Sequence, residues 1–77
     1  MKTVHLILKH KYYAQIQEGT KTIEYREASN YYKVRLRGAT QVTFHRGYTS
    51  TTMTFKILKI KFNSTYTCYA IHLGEKI

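Results

Sequence analysis

Hydrophobic and polar positions change period along this chain, and the changes mark its elements. Val4 to Lys9 is rich in aliphatic and β-branched residues and predicts a first strand. His10 to Glu18 then takes up a helical spacing. Tyr12, Tyr13 and Ile16 fall at i, i+1 and i+4, an apolar stripe on a helix of about two turns. Gly19 follows as the residue that ends it, because glycine tolerates the left-handed conformation of a helix terminus. A helix so short does not hold alone and must pack against a sheet. Lys21 to Glu27 alternates again, with Ile23 and Tyr25 pointing one way and Thr22, Glu24 and Arg26 the other. Ala28 to Gly38 reads as irregular or a short turn of helix. Thr40 to Arg46 alternates with Val42 and Phe44 inward, and Gly47 to Thr52 is a polar turn. Met53 to Phe62 and Thr65 to Leu73 are long β-like runs, with Asn63-Ser64 as a tight connection. One short helix after the first strand and about five strands, several hairpin-linked, predict an α+β, mostly β fold. Its expected form is a small, partly closed antiparallel or mixed β-barrel, one domain over residues 1–77.

Size sharpens that picture. A chain of 77 residues buries only about 60% of the surface its unfolded form exposes, so the expected stability is marginal. Tyrosine is the commonest aromatic, with eight copies, and its ring suits either a shallow core or a stack on a nucleobase. Cys68 is the only cysteine, which excludes an internal disulfide and fits a reducing compartment. The first residues have too short an apolar run for a signal peptide, and no stretch reaches the roughly 20 apolar residues of a membrane span. The expectation is a soluble, cytoplasmic protein with no membrane partner.

Charge then narrows the partner. Lys and Arg number 13 against four Glu and no Asp, a formal +9. An excess of this size favours polyanions, since each neutralised phosphate releases condensed counterions. The acids are also clustered: Glu18, Glu24 and Glu27 share one ten-residue window, and Glu75 lies near the end.

That window holds the candidate chemistry, Glu18-Gly19-Thr20-Lys21-Thr22-Ile23-Glu24-Tyr25-Arg26-Glu27. Residues two apart on a strand share a face, so Glu24 and Arg26 are neighbours, and the long stem of Lys21 reaches the same spot. Two cations organised around one carboxylate could bind a phosphate or hold a base edge. The plainer reading is an ion pair on an exposed strand, contributing about 0–1 kcal/mol.

A first strand, an aromatic-bearing helix and then Gly19-x-Lys21-Thr22-Ile23-Glu24-x-Arg26 resembles the signature of ASCH domains, of the PUA-like superfamily. Tyr31-Tyr32-Lys33-x-Arg35-Leu36 and the closing run Tyr69 to Gly74 match in the same order, so the resemblance runs nearly end to end. It implies a PUA-like barrel with a cleft beside the helix–strand turn, and an RNA-related function in which Lys21 is the central cleft residue and Arg26 an anion or base contact. The nucleoside amidohydrolase branch pairs its lysine with a threonine where this chain has Glu24. It also takes a glutamate from a helical segment before the last strand, where this chain has only Asn63-Ser64, so its full catalytic set is absent.

The remaining residues fill in that reading. His5, His10, His45 and His72 show no metal-ligand spacing, and no metal or cofactor is expected. His45, beside Arg46, or His72 could act as acid or base near neutral pH, although a hydrogen-bonded strand histidine is the commoner case. Cys68 alternates with Tyr66 and Ala70 and reads as a small core residue. Tyr31, Tyr32 and Tyr48, placed in polar loops and flanked by Lys33, Arg35 and Arg46, have the aromatic–cation interleaving of a single-stranded RNA platform. Lys56, Lys59 and Lys61 either guard a strand edge or track RNA. The leading expectation is an RNA-binding module that holds RNA or a nucleotide-like ligand with Lys21, Glu24, Arg26, Tyr31, Tyr32, Lys33, Arg35, Arg46 and Tyr48. The alternative is a small hydrolase, a ribonuclease or modified-nucleoside hydrolase, with Lys21 and Glu24 catalytic. A third is a factor that binds another protein through its basic face.

Overall fold

The computed structural model describes residues 1–77. The elements follow as β1 (Thr3–Leu8), α1 (His10–Glu18), β2 (Ile23–Glu27), α2 (Asn30–Leu36), β3 (Gln41–Arg46), β4 (Thr52–Asn63) and β5 (Cys68–Lys76). The strands make one mixed sheet in the order β1-β3-β4-β5-β2, curled into a half-barrel. β1 pairs with β3 in parallel, and every other pair is antiparallel. The barrel is therefore open, and its two free edges are β1 and β2.

Alternation explains the core. Val4, Leu6 and Leu8 on β1, Val42 and Phe44 on β3, Met53 and Phe55 on β4, and Ile71 and Leu73 on β5 all join one buried cluster. Tyr13 and Ile16 of α1 and Leu36 of α2 complete it. The stripe expected of α1 is present, although Tyr12 stays exposed while Tyr13 and Ile16 are buried. Gly19 ends α1 with φ +84°, and its N–H reaches Ile16 O at 3.1 Å. Phe44 and Val42 are wholly buried, so Phe44→Ala falls in the class that costs about 3–5 kcal/mol. In β4 the pairing shifts between Phe55 and Ile57 and again between Ile57 and Lys59. Such bulges change which face a residue takes. Met53 and Phe55 point inward before the shift and Ile60 packs on the core after it, while Leu58 is left exposed.

Several expected boundaries move. Ala28 to Gly38 contains a real helix, α2, whose first turn is capped by the Ser29 hydroxyl accepting from Tyr32 N. Tyr31 and Tyr32 thus stand on a helix and not in a loop. The β4–β5 connection is the four-residue turn 64–67, held by Asn63 Oδ1 accepting from Thr65 N and Tyr66 N. Tyr66 lies in that turn and is exposed, and Cys68 is half-buried. β5 runs to Lys76, so Glu75 lies within the last strand and pairs with Lys56 across the sheet.

Candidate functional site

The largest departure from the expected pattern is at β2. Two of its polar side chains, Glu24 and Arg26, face inward. Glu24 is 5% exposed whereas Tyr25 is 55% exposed. The register explains the reversal: Glu24 sits opposite Ile71, which is wholly buried, and takes the same side of the sheet. A carboxylate there must be paired, and this one is paired twice. Lys21 Nζ donates to Glu24 Oε1 at 2.7 Å, and Arg26 Nε and Nη2 reach Glu24 Oε2 at 3.0 and 2.9 Å. Lys21 also lies 4.6 Å from the centre of the Tyr12 ring.

Arg26 does more than neutralise Glu24. Its Nη2 donates to Ile7 O on β1 at 2.9 Å, and its Nη1 donates to the Tyr32 hydroxyl at 3.3 Å. One guanidinium therefore links the two free edges of the half-barrel and the second helix. Arg35 makes a similar contact one step along, with Nη2 donating to His5 O at 3.2 Å. Unpaired edge carbonyls are a liability of any open sheet, and here two arginines cover those of His5 and Ile7.

Above these contacts lies a cleft of ≈ 370 Å³ lined by His5, Leu6, Ile7, Arg26, Tyr31, Tyr32, Arg35 and His45. Tyr31 and Tyr32 meet edge to face with ring centres 5.0 Å apart, and Arg35 lies 5.1 Å from the Tyr31 ring centre. A smaller cleft continues along β1 past Lys2, Thr3, Val4, His5, Val34 and Arg35. No carboxylate lines either one.

No family model and no curated protein matches the chain. The site is read from its geometry.

Of the residues expected to act together, Arg26, Tyr31, Tyr32 and Arg35 meet in the cleft. Lys21 and Glu24 join it through Arg26 and do not line it. Lys33, Arg46 and Tyr48 line neither cleft; all three are exposed, Tyr48 almost fully. Sequence reasoning missed the pairing of His5 with His45. His5 Nδ1 and His45 Nε2 lie 3.1 Å apart, with ring centres at 5.3 Å. The only signal was one histidine on each strand, and it becomes readable once β1 and β3 are known to run parallel with Ile7 beside His45, since His5 and Ile7 share a face of β1. Chemically the cleft combines cations, imidazoles and aromatic faces, a set that suits an anion attached to a flat ring. No helix is long and apolar enough to cross a membrane.

Proposed function

We propose that the protein is an ASCH-like, PUA-like nucleic-acid-binding domain that holds single-stranded RNA, or a nucleotide-like ligand, in the cleft between α2 and the β1 edge. The observation that carries this reading is the coincidence of Arg35, Tyr31, Tyr32 and the His5–His45 pair in one ≈ 370 Å³ cleft without a carboxylate, on a chain of net charge +9. Stacking on a tyrosine contributes roughly 1–3 kcal/mol per base. A guanidinium hydrogen bond to phosphate adds about 1.5–3 kcal/mol. The motif Gly19-x-Lys21-Thr22-Ile23-Glu24-x-Arg26 supports the same reading from the family side, with Lys21 and Glu24 as the support of Arg26. The hydrolase alternative asks Glu24 to exchange a proton, and both of its oxygens are held by cations.

The test is a gel assay of labelled single-stranded RNA at moderate and high salt, with duplex DNA beside it. Retention of intact RNA that weakens with salt and exceeds that of DNA is the expected result. Degraded RNA, with the activity lost in a Lys21→Ala protein, would move the hydrolase into first place. Absence of both retention and cleavage would remove RNA as the partner.

A further inference from the structure

We infer that the cleft grips its ligand by a phosphodiester, held between Arg35 and the His5–His45 pair, and that the pair takes up one proton when the phosphate binds. This rests on the reading of the cleft as an RNA site. The first support is the contrast between the two arginines. Arg26 uses Nε, Nη1 and Nη2 on Glu24, Tyr32 and Ile7. Arg35 makes a single bond, Nη2 to His5 O, and its Nε is buried without an acceptor. A guanidinium carries five N–H donors, so Arg35 retains most of its capacity for anionic oxygens.

The second support is the imidazole contact. At 3.1 Å, one of His5 Nδ1 and His45 Nε2 bears the hydrogen and the other accepts it. In either tautomer the neutral pair then shows one donor and one acceptor on its two outer nitrogens, His5 Nε2 and His45 Nδ1. An outward acceptor is the wrong partner for a phosphate. One added proton turns it into a donor and leaves the inner bond intact, so the pair presents two N–H groups and a positive charge. A second proton would break the inner bond.

The surroundings make the anion a condition for that proton. From α2 the pair faces Arg35, with Tyr31 and Tyr32; from β2 it faces Arg26, already balanced by Glu24. Lys2 lies along the adjoining cleft, and Arg46 follows His45 on β3. The strand neighbours Thr43 and Thr52 do not titrate. No carboxylate of the protein lines the cleft to offset the added charge, and a phosphodiester would.

The experiment is calorimetry of the full chain with tetrauridylate lacking terminal phosphates, whose charge is constant from pH 5.5 to 8, and with uridine as the unphosphorylated control. Buffers of different ionisation heat report the protons exchanged. Tetrauridylate is expected to bind with uptake of about one proton near neutral pH, and about tenfold more tightly at pH 6 than at pH 8. Uridine is expected to bind at least about tenfold more weakly, as loss of a charged hydrogen bond implies. His45→Ala and His45→Asn, each checked for fold by circular dichroism, are expected to bind without proton uptake. Binding of tetrauridylate to the unaltered chain without proton uptake, or equal binding of uridine, overturns the inference while leaving the RNA reading intact. Failure of tetrauridylate to bind overturns the inference as well, and the RNA gel then decides whether the wider reading falls with it.

Discussion

The Glu24 cluster and the His5–Arg35 cleft are built from similar residue types and lie side by side, sharing Arg26, yet they are finished to different degrees. Around Glu24 both carboxylate oxygens are occupied, and Arg26 has bonds from all three of its nitrogens. In the cleft, Arg35 holds one bond, two imidazoles answer only each other, and Tyr31 is exposed. A saturated polar cluster has little left to offer a ligand and acts as structure; an undersaturated one beside open space has capacity to bind. The Gly19-to-Arg26 segment falls on the saturated side. Lys21, Glu24 and Arg26 thus act as a fastening, in which Arg26 bridges the two free edges of the half-barrel and sets the wall of the cleft.

Breaking the fastening gives the largest effect. Glu24→Ala leaves two cations without their carboxylate, and loss of one member of a buried pair costs about 3 kcal/mol. Lys21 and Arg26 keep side-chain exposures of 25% and 18%, which holds the figure at the low end of that class. In a domain this size the midpoint of thermal unfolding is expected to drop by about 10–20 °C, read by circular dichroism. Arg26→Lys keeps the charge but cannot span Glu24, Ile7 O and Tyr32 together, and is expected to cost about 1–2 kcal/mol in urea unfolding. A stability loss for Arg35→Ala as large as that for Glu24→Ala would erase the distinction between the two regions.

The cleft is expected to answer in the opposite way. Arg35→Ala should leave urea stability within about 1 kcal/mol while RNA affinity falls about tenfold or more. The slope of log affinity against log salt should become shallower by about 0.7, one phosphate contact on a single strand.

An exposed ion pair supplies the lower bound of the comparison. Lys56 Nζ and Glu75 Oε1 lie 2.8 Å apart on open surface. The hydrogen bond from Lys56, and then its charge, lower the Glu75 pKa, while the same bond raises that of Lys56. The lowered carboxyl stabilises the fold above its unfolded pKa and loses that contribution as pH falls through the folded value. The raised ammonium contributes below its unfolded pKa and loses the contribution as pH rises through the folded one. Solvent screens both, so Glu75→Gln is expected to leave the unfolding midpoint near neutral pH almost unchanged.

How much of this was legible in the sequence depended on whether the signal was local. The helix from His10 to Glu18 and its Gly19 terminus could be read because the period, the stop residue and the aromatic stripe lie in one short segment. Val42 and Phe44 could be assigned to the interior because alternation along a central strand survives any pairing partner. At β2 the same rule misled. Ile23 and Tyr25 are the apolar set, but β5 places Glu24 beside Ile71, and two cations make the buried carboxylate tolerable. Lys21, Glu24 and Arg26 were correctly grouped from their spacing, whereas their inward direction depended on a strand more than forty residues away. The His5–His45 pair was illegible for a related reason. It exists only through the parallel β1–β3 ladder, which no short segment encodes.

The most direct measurement is a ¹⁵N-resolved NMR titration of the full chain with tetrauridylate. Resonances of His5, Ile7, Tyr31, Tyr32, Arg35 and His45 are expected to shift together, with one dissociation constant, while those of Lys21 and Glu24 move less. Shifts centred on the Lys59 and Lys61 stretch of β4, with the cleft unchanged, would contradict the assignment of the binding site to the cleft.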